Sequence, residues 1–104
     1  MTLRAATPQP ARTGTMTSTS ASATSITLVA ANNKRKGLTI INESTAKLYL
    51  RMEAAAASTS AYTVELEGAT ASPYAYYEMP FGYTGQVRAI WASATGNARV
   101  TEFV

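Results

Sequence analysis

From residue 26 onward, apolar and polar side chains alternate in short runs of period two, the signature of strands with one face buried. Residues 25–30 set Ile26 and Leu28 against Thr27 and Val29. Residues 37–42 put Leu38 and Ile40 on one face. Residues 46–52 alternate Leu48, Leu50 and Met52 with Lys47, Tyr49 and Arg51. Residues 61–67 repeat the scheme, with Tyr62, Val64 and Leu66 opposed to Thr63, Glu65 and Glu67. An aromatic run follows at 74–79. Residues 85–92 then oppose Val87, Ala89 and Trp91 to Arg88 and Ile90, and residues 97–104 oppose Val100 to Arg99 and Thr101. Turn signals carrying Asn, Gly or Pro separate the runs at 32–37, 42–45, 68–73, 80–85 and 94–97. Residues 53–60 read EAAAASTS. That stretch is short and lacks an apolar face, so it reads as a loop with at most one helical turn. The expectation is an all-β fold: an antiparallel, jelly-roll-like β-sandwich of about seven strands over residues 26–104.

Residues 1–25 break this pattern. Eleven of them are Ser or Thr and large apolar side chains are nearly absent, so the segment cannot bury enough surface to fold alone. It reads as a flexible Ser/Thr-rich arm, either disordered or extended along a neighbouring subunit. Pro8 and Pro10 favour an extended backbone there. The amino terminus carries Arg4 and Arg12 but no apolar stretch typical of a secretory signal, and no run is long enough for a membrane span, which points to synthesis in the cytosol.

Composition sharpens the functional reading mainly by what is missing. The chain of 104 residues has no Cys and no His, and its six acidic groups are all Glu. A His-dependent triad, a Cys nucleophile and a His or thiolate metal site are therefore excluded. Glu65 and Glu67 share a strand face, but a glycosidase pair needs a cleft. There is no Gly-x-Ser-x-Gly elbow, and the Gly82–Gly85 stretch is turn chemistry rather than a phosphate loop. No enzyme activity and no cofactor are expected. Charged residues make up only 14%, with a net charge of +3. A small domain without disulfide or metal commonly leans on a partner, so an oligomer or a chain docked on something larger is expected.

Two clusters stand out as candidate contact residues. Lys34, Arg35 and Lys36 form a basic loop between two Asn and a Gly. A nucleic-acid surface needs a wider basic stripe or stacking aromatics, so a solvated loop or an acidic protein patch ranks ahead of it. Tyr74, Tyr76, Tyr77, Phe81 and Tyr83 form an aromatic segment suited to the core, to a subunit interface or to a glycan. Without Asp or His to fix a sugar ring, the glycan reading comes last.

Two stretches, residues 31–50 (ANNKRKGLTIINESTAKLYL) and 76–103 (YYEMPFGYTGQVRAIWASATGNARVTEF), together resemble small virion structural proteins of tailed bacteriophages. The resemblance rests on the order of several elements: Asn33 to Gly37, Ile40 to Ser44, Tyr76 to Pro80, Tyr83 to Trp91 and Gly96 to Glu102. It covers about the last two-thirds of the chain. It implies a non-enzymatic β-sandwich of the virion, assembled in the host cytoplasm. The first-ranked role is a capsid decoration or cement protein docking on the major capsid protein. A head–tail connector, a tail- or fibre-associated piece and a glycan-binding module follow. On that reading Arg4, Arg12, Lys34, Arg35 and Lys36 dock on the capsid. The tyrosines and Phe81 join subunits, with a trimer favoured.

Overall fold

The computed structural model describes residues 12–69, 75–80 and 82–104, and these form eight strands. They are β1 (Gly14–Ser20), β2 (Ile26–Val29), β3 (Gly37–Asn42), β4 (Leu48–Arg51), β5 (Val64–Leu66), β6 (Tyr76–Glu78), β7 (Val87–Trp91) and β8 (Asn97–Phe103). Two four-stranded sheets have the orders β1-β8-β3-β6 and β2-β7-β4-β5. Every pairing is antiparallel. The pairs nest: β1 with β8, β2 with β7, β3 with β6, β4 with β5. A long antiparallel ribbon rolled into two facing sheets has this connectivity, which is the jelly-roll order.

The period-two runs become strands because their apolar sides meet between the sheets. Leu38 and Ile40 from β3 and Ala98 and Val100 from β8 face Leu48 and Leu50 from β4 and Val87, Ala89 and Trp91 from β7. Leu28, Leu66 and Met79 complete the buried cluster. Each sizeable side chain taken from water contributes about 1.5–3 kcal/mol, so this cluster is the main source of stability.

Three expectations need correction. The arm expected over residues 1–25 gives up Gly14–Ser20, which forms an eighth strand within the chain's own sheet, paired with β8 from Gly14–Phe103 to Ser20–Asn97. Its side chains are almost all exposed, so backbone pairing and the β-branched threonines, rather than an apolar face, make it a strand. In β2 a bulge between Thr27 and Val29 shifts the register, so Val29 packs against the core with Ile26 instead of facing away from it. Tyr62 does not share the inner face with Val64 and Leu66. The strand begins only at Val64, and Tyr62 lies on the outer surface edge-to-face with Tyr49, ring centroids 5.1 Å apart. Residues 53–60 form a loop of bends closed by a bridge between Ser58 and Ala61. Among the described residues no helix is long and apolar enough to cross a membrane.

Candidate interaction surface

The basic loop splits into two roles. Arg35 turns inward and is 4% exposed. Its Nε donates to Glu102 Oε2 at 2.7 Å, Nη1 to the carbonyl oxygen of Gly85 at 2.9 Å, and Nη2 to that of Ala30 at 2.6 Å. The carbonyl of Tyr83 and the sulfur of Met79 lie further along Nη1, at 3.4 and 3.9 Å. Glu102 faces inward because β8 alternates and its neighbours across the sheet are Thr15 and Leu38. The fork geometry of a guanidinium suits this task, since it can hold a carboxylate and two separate loops at once. Arg35 therefore leaves the set of docking residues. It fastens the 30–36 loop and the 83–86 loop to β8.

The neighbouring cations stay outside. Lys34 is exposed and Lys36 half-buried. The backbone of Lys36 donates to the Phe103 carbonyl, and that of Arg12, also exposed, donates to the Val104 carbonyl. The fold thus brings Arg12, Lys34 and Lys36 to one end of the first sheet, around the end of β8. Arg4 lies outside the described residues.

The aromatic segment divides likewise. Tyr77 pairs with Ile40 on the inner face and packs against the core, whereas Tyr76, 63% exposed, stands on the outer face beside Ile41. Tyr83 also packs on the core, and its hydroxyl donates to the Gln86 carbonyl at 2.5 Å. Burial pushes the Tyr83 phenol above its ordinary pKa, with nearby Arg35 working the other way. Tyr77 and Tyr83 therefore serve the core, and of the described tyrosines in the segment only Tyr76 is free for a contact. Tyr74 and Phe81 lie outside the described residues.

On the outer face of the first sheet, register aligns Gly14, Phe103 and Gly37 in one row. Met16, Thr101, Thr39 and Glu78 form the next, and Ser18, Arg99, Ile41 and Tyr76 the one after. The Phe103 ring lies close over Gly14, where a Cβ would sit 3.1 Å from it; one on Gly37 would make ordinary contact at 3.5 Å. Where the short β6 ends, an open groove of about 340 Å³ runs along Gly37, Leu38, Thr39, Glu78, Met79 and Phe103. The outer face of the second sheet carries the Tyr49–Tyr62 pair, with Tyr49 opposite Ile90, and Lys47 between Glu65 and Glu67 at 3.6 and 3.4 Å. Those carboxylates, Glu65 foremost, hold the Lys47 ammonium above its ordinary pKa. The shared strand face of Glu65 and Glu67 thus ends in ion pairs on an open sheet.

A second interior joint was visible in the sequence only as a pattern, Ile40 to Ser44. Asn42 continues the inward series of Leu38 and Ile40 and is fully buried. Its Nδ2 donates to the carbonyls of Ala46 and Glu67, both at 2.9 Å, and its Oδ1 accepts from Ser44 N and from Trp91 Nε1 at 3.1 and 3.2 Å. Ser44 Oγ donates to the Thr95 carbonyl and accepts from Ala46 N. Gly96 closes the joint with φ +81°, and a Cβ there would meet Ser44 Cα at 2.7 Å. A polar residue at a core position was the signal available for this joint. Among the described residues no buried side-chain nitrogen or oxygen lacks a partner, and no group of three or more acidic side chains gathers as a metal site would need.

No protein-family model, curated protein or solved structure matches this chain.

Proposed function

We propose that this protein is a non-enzymatic structural component of a tailed-bacteriophage virion, a decoration or cement protein docking on the major capsid protein. One observation supports the reading most. The residues that carry the resemblance, Arg35, Asn42, Ser44, Tyr83, Gly96 and Glu102, are those that tie the two sheets and their loops together. They behave as the signature of a scaffold, with their polar atoms satisfied inside it. What faces outward is broad, weakly charged sheet surface and one basic end. Jelly rolls host many functions, so the fold alone does not select this one.

In this reading Arg12, Lys34 and Lys36 meet acidic patches of the capsid, with Arg4 ahead of them. Rim charges of this kind steer association and weaken with salt. In the same reading the residues ahead of Arg12 reach a neighbour. Many copies on one shell turn modest single contacts into lasting attachment.

The test is cryo-electron microscopy of the particle that carries the chain, with co-sedimentation of the purified protein on shells stripped of it. Density repeated at capsomer junctions, and binding lost in the Lys34→Glu, Lys36→Glu double variant, are the expected results. Density confined to the portal vertex or tail would move the protein to a connector or fibre role. Binding indifferent to both reversals would sink the basic-end contact.

A further inference from the structure

The eight strands leave four sheet edges, and they are unequal. The edge strand β2 has four residues and a bulge, while β5 and β6 have three residues each. Short and bulged edges resist pairing with other chains. β1 is different: seven residues, GTMTSTS, in unbroken register, with no charge and no proline. It lacks each of the usual devices that blunt an edge.

The phase of its hydrogen bonds can be read from its two ends. Thr13 and Val104 exchange both backbone bonds, and Ala21 N donates to the Gly96 carbonyl. Odd-numbered residues therefore bond to β8, and Gly14, Met16, Ser18 and Ser20 turn their N–H and C=O groups outward. No described residue accepts or donates there.

We propose that β1 pairs with β1 of a second copy, antiparallel about a two-fold axis through Thr17, joining two four-stranded sheets into one of eight strands. The outward-facing positions are symmetric about residue 17. Gly14 then pairs with Ser20 of the partner subunit, and Met16 with Ser18 of the partner subunit, so every outward backbone group of the strand is matched. Thr17 meets its own copy at a non-hydrogen-bonded position, where threonine pairs are favourable. The small uncharged side chains raise no like-charge repulsion across the axis. A second copy is the occupant because the surface is self-complementary. The other edges are too short or too irregular to receive β1, so a head-to-tail chain of copies is blocked and a closed pair results. Met16, 58% exposed, loses part of that exposure on pairing. This surface lies across the sheet from Tyr76, and the pairing does not depend on the virion reading.

Sedimentation equilibrium of the full chain is the test. The expected mass is about 22 kDa, twice the 11.0 kDa of one chain. Ser18→Pro removes an outward N–H and one exposed side-chain bond, from Asn97 Nδ2, and leaves the backbone ladder to β8 intact, so it gives a folded monomer. Met16→Lys, a charged edge, does the same should the proline variant fail to fold. In this cysteine-free chain, Thr17→Cys cross-links on mild oxidation. Non-hydrogen-bonded partners sit about 4.5 Å apart at Cα, within disulfide reach. Thr15→Cys, which faces residue 19 of the partner subunit, does not cross-link. Any mass other than that of two chains overturns the proposal. So does a pair that survives both Ser18→Pro and Met16→Lys, or a Thr17→Cys chain that stays uncross-linked.

Discussion

Arg35 and β1 lie on opposite flanks of β8 and dispose of their polar groups in opposite ways. The guanidinium is enclosed, and each of its nitrogens has an acceptor inside the chain. The side chains of the strand are almost all exposed, and half of its backbone groups turn away from β8, where no described residue bonds them. Enclosure makes the arginine costly to remove, because its carbonyl and carboxylate partners would be stranded in a dry site. Openness makes the strand cheap to alter on one side and available to a partner. Exposure, more than residue type, decides which polar groups hold the fold and which can meet another molecule.

The largest expected effect breaks the enclosed side. Arg35→Ala should lose about 3–5 kcal/mol in urea unfolding, the range for removing one member of a buried pair. That is much of the roughly 5–15 kcal/mol a domain commonly has. Lys34→Ala and Lys36→Ala, one residue away, should each stay within about 0.5 kcal/mol. Equal effects at all three positions would mean that Arg35 does not fasten the two loops to β8.

The second joint should respond almost as strongly. Asn42→Ala strands two carbonyls, a backbone N–H and the Trp91 indole, and about 2–4 kcal/mol is expected. Gly96→Ala should be of the same order, because a Cβ would press on Ser44 at a positive φ. Trp91→Phe should cost less alone, and its effect should shrink in the Asn42→Ala background. Strict additivity in that double-mutant cycle would separate the two side chains.

These two joints mark the limit of what was legible in the sequence. Alternation located β2 to β5, β7 and β8, an aromatic run marked β6, and Leu38, Leu48, Leu50, Val87 and Trp91 fell on the buried side, because burial on one face leaves a period of two. It could not locate β1, whose threonines carry no apolar side. Only pairing with β8, about eighty residues away, makes that strand. Arg35 looked like its lysine neighbours, since three adjacent cations carry no record of which one the loop turns inward. Glu102 was the missing clue, and its inward direction follows from the phase of β8. Tyr77 and Tyr83 show the same limit: an aromatic run does not say which rings lie between sheets. Asn42 was the readable exception, a polar residue on the same side as Leu38 and Ile40.

The open side gives a smaller but sharper contrast. Thr17→Pro removes a donor that bonds to Val100, at a position register places in the β8 ladder, and should cost about 2–3 kcal/mol. Ser18→Pro, one residue on, should cost under about 1 kcal/mol, since the N–H it removes turns away from β8 and the side-chain bond it loses, from Asn97 Nδ2, is exposed. Melting both variants at high dilution keeps self-association out of the comparison. Equal losses would mean that the hydrogen-bond phase of β1 is the reverse of the one inferred.

The smallest effect lies at alkaline pH. Tyr83 sits beside the arginine it helps to enclose, and burial raises its phenol above the ordinary value near 10. A raised pKa means the folded chain holds the proton more tightly than the unfolded chain. The resulting stability is fully present below about pH 10 and drains away as pH climbs towards the folded-state value. Lys47 and Tyr62 shift the same way, under the influence chiefly of Glu65, but both are open to solvent and salt screens them. Stability measured from pH 7 to 11 should therefore be level and then fall. Tyr83→Phe should start slightly lower, for want of the bond to Gln86, and fall less steeply. The phenolate absorbance lost in that variant should rise above the ordinary tyrosine range on titration of the folded protein. If the slope survives the substitution unchanged, the alkaline loss belongs to the exposed surface and not to the enclosed corner.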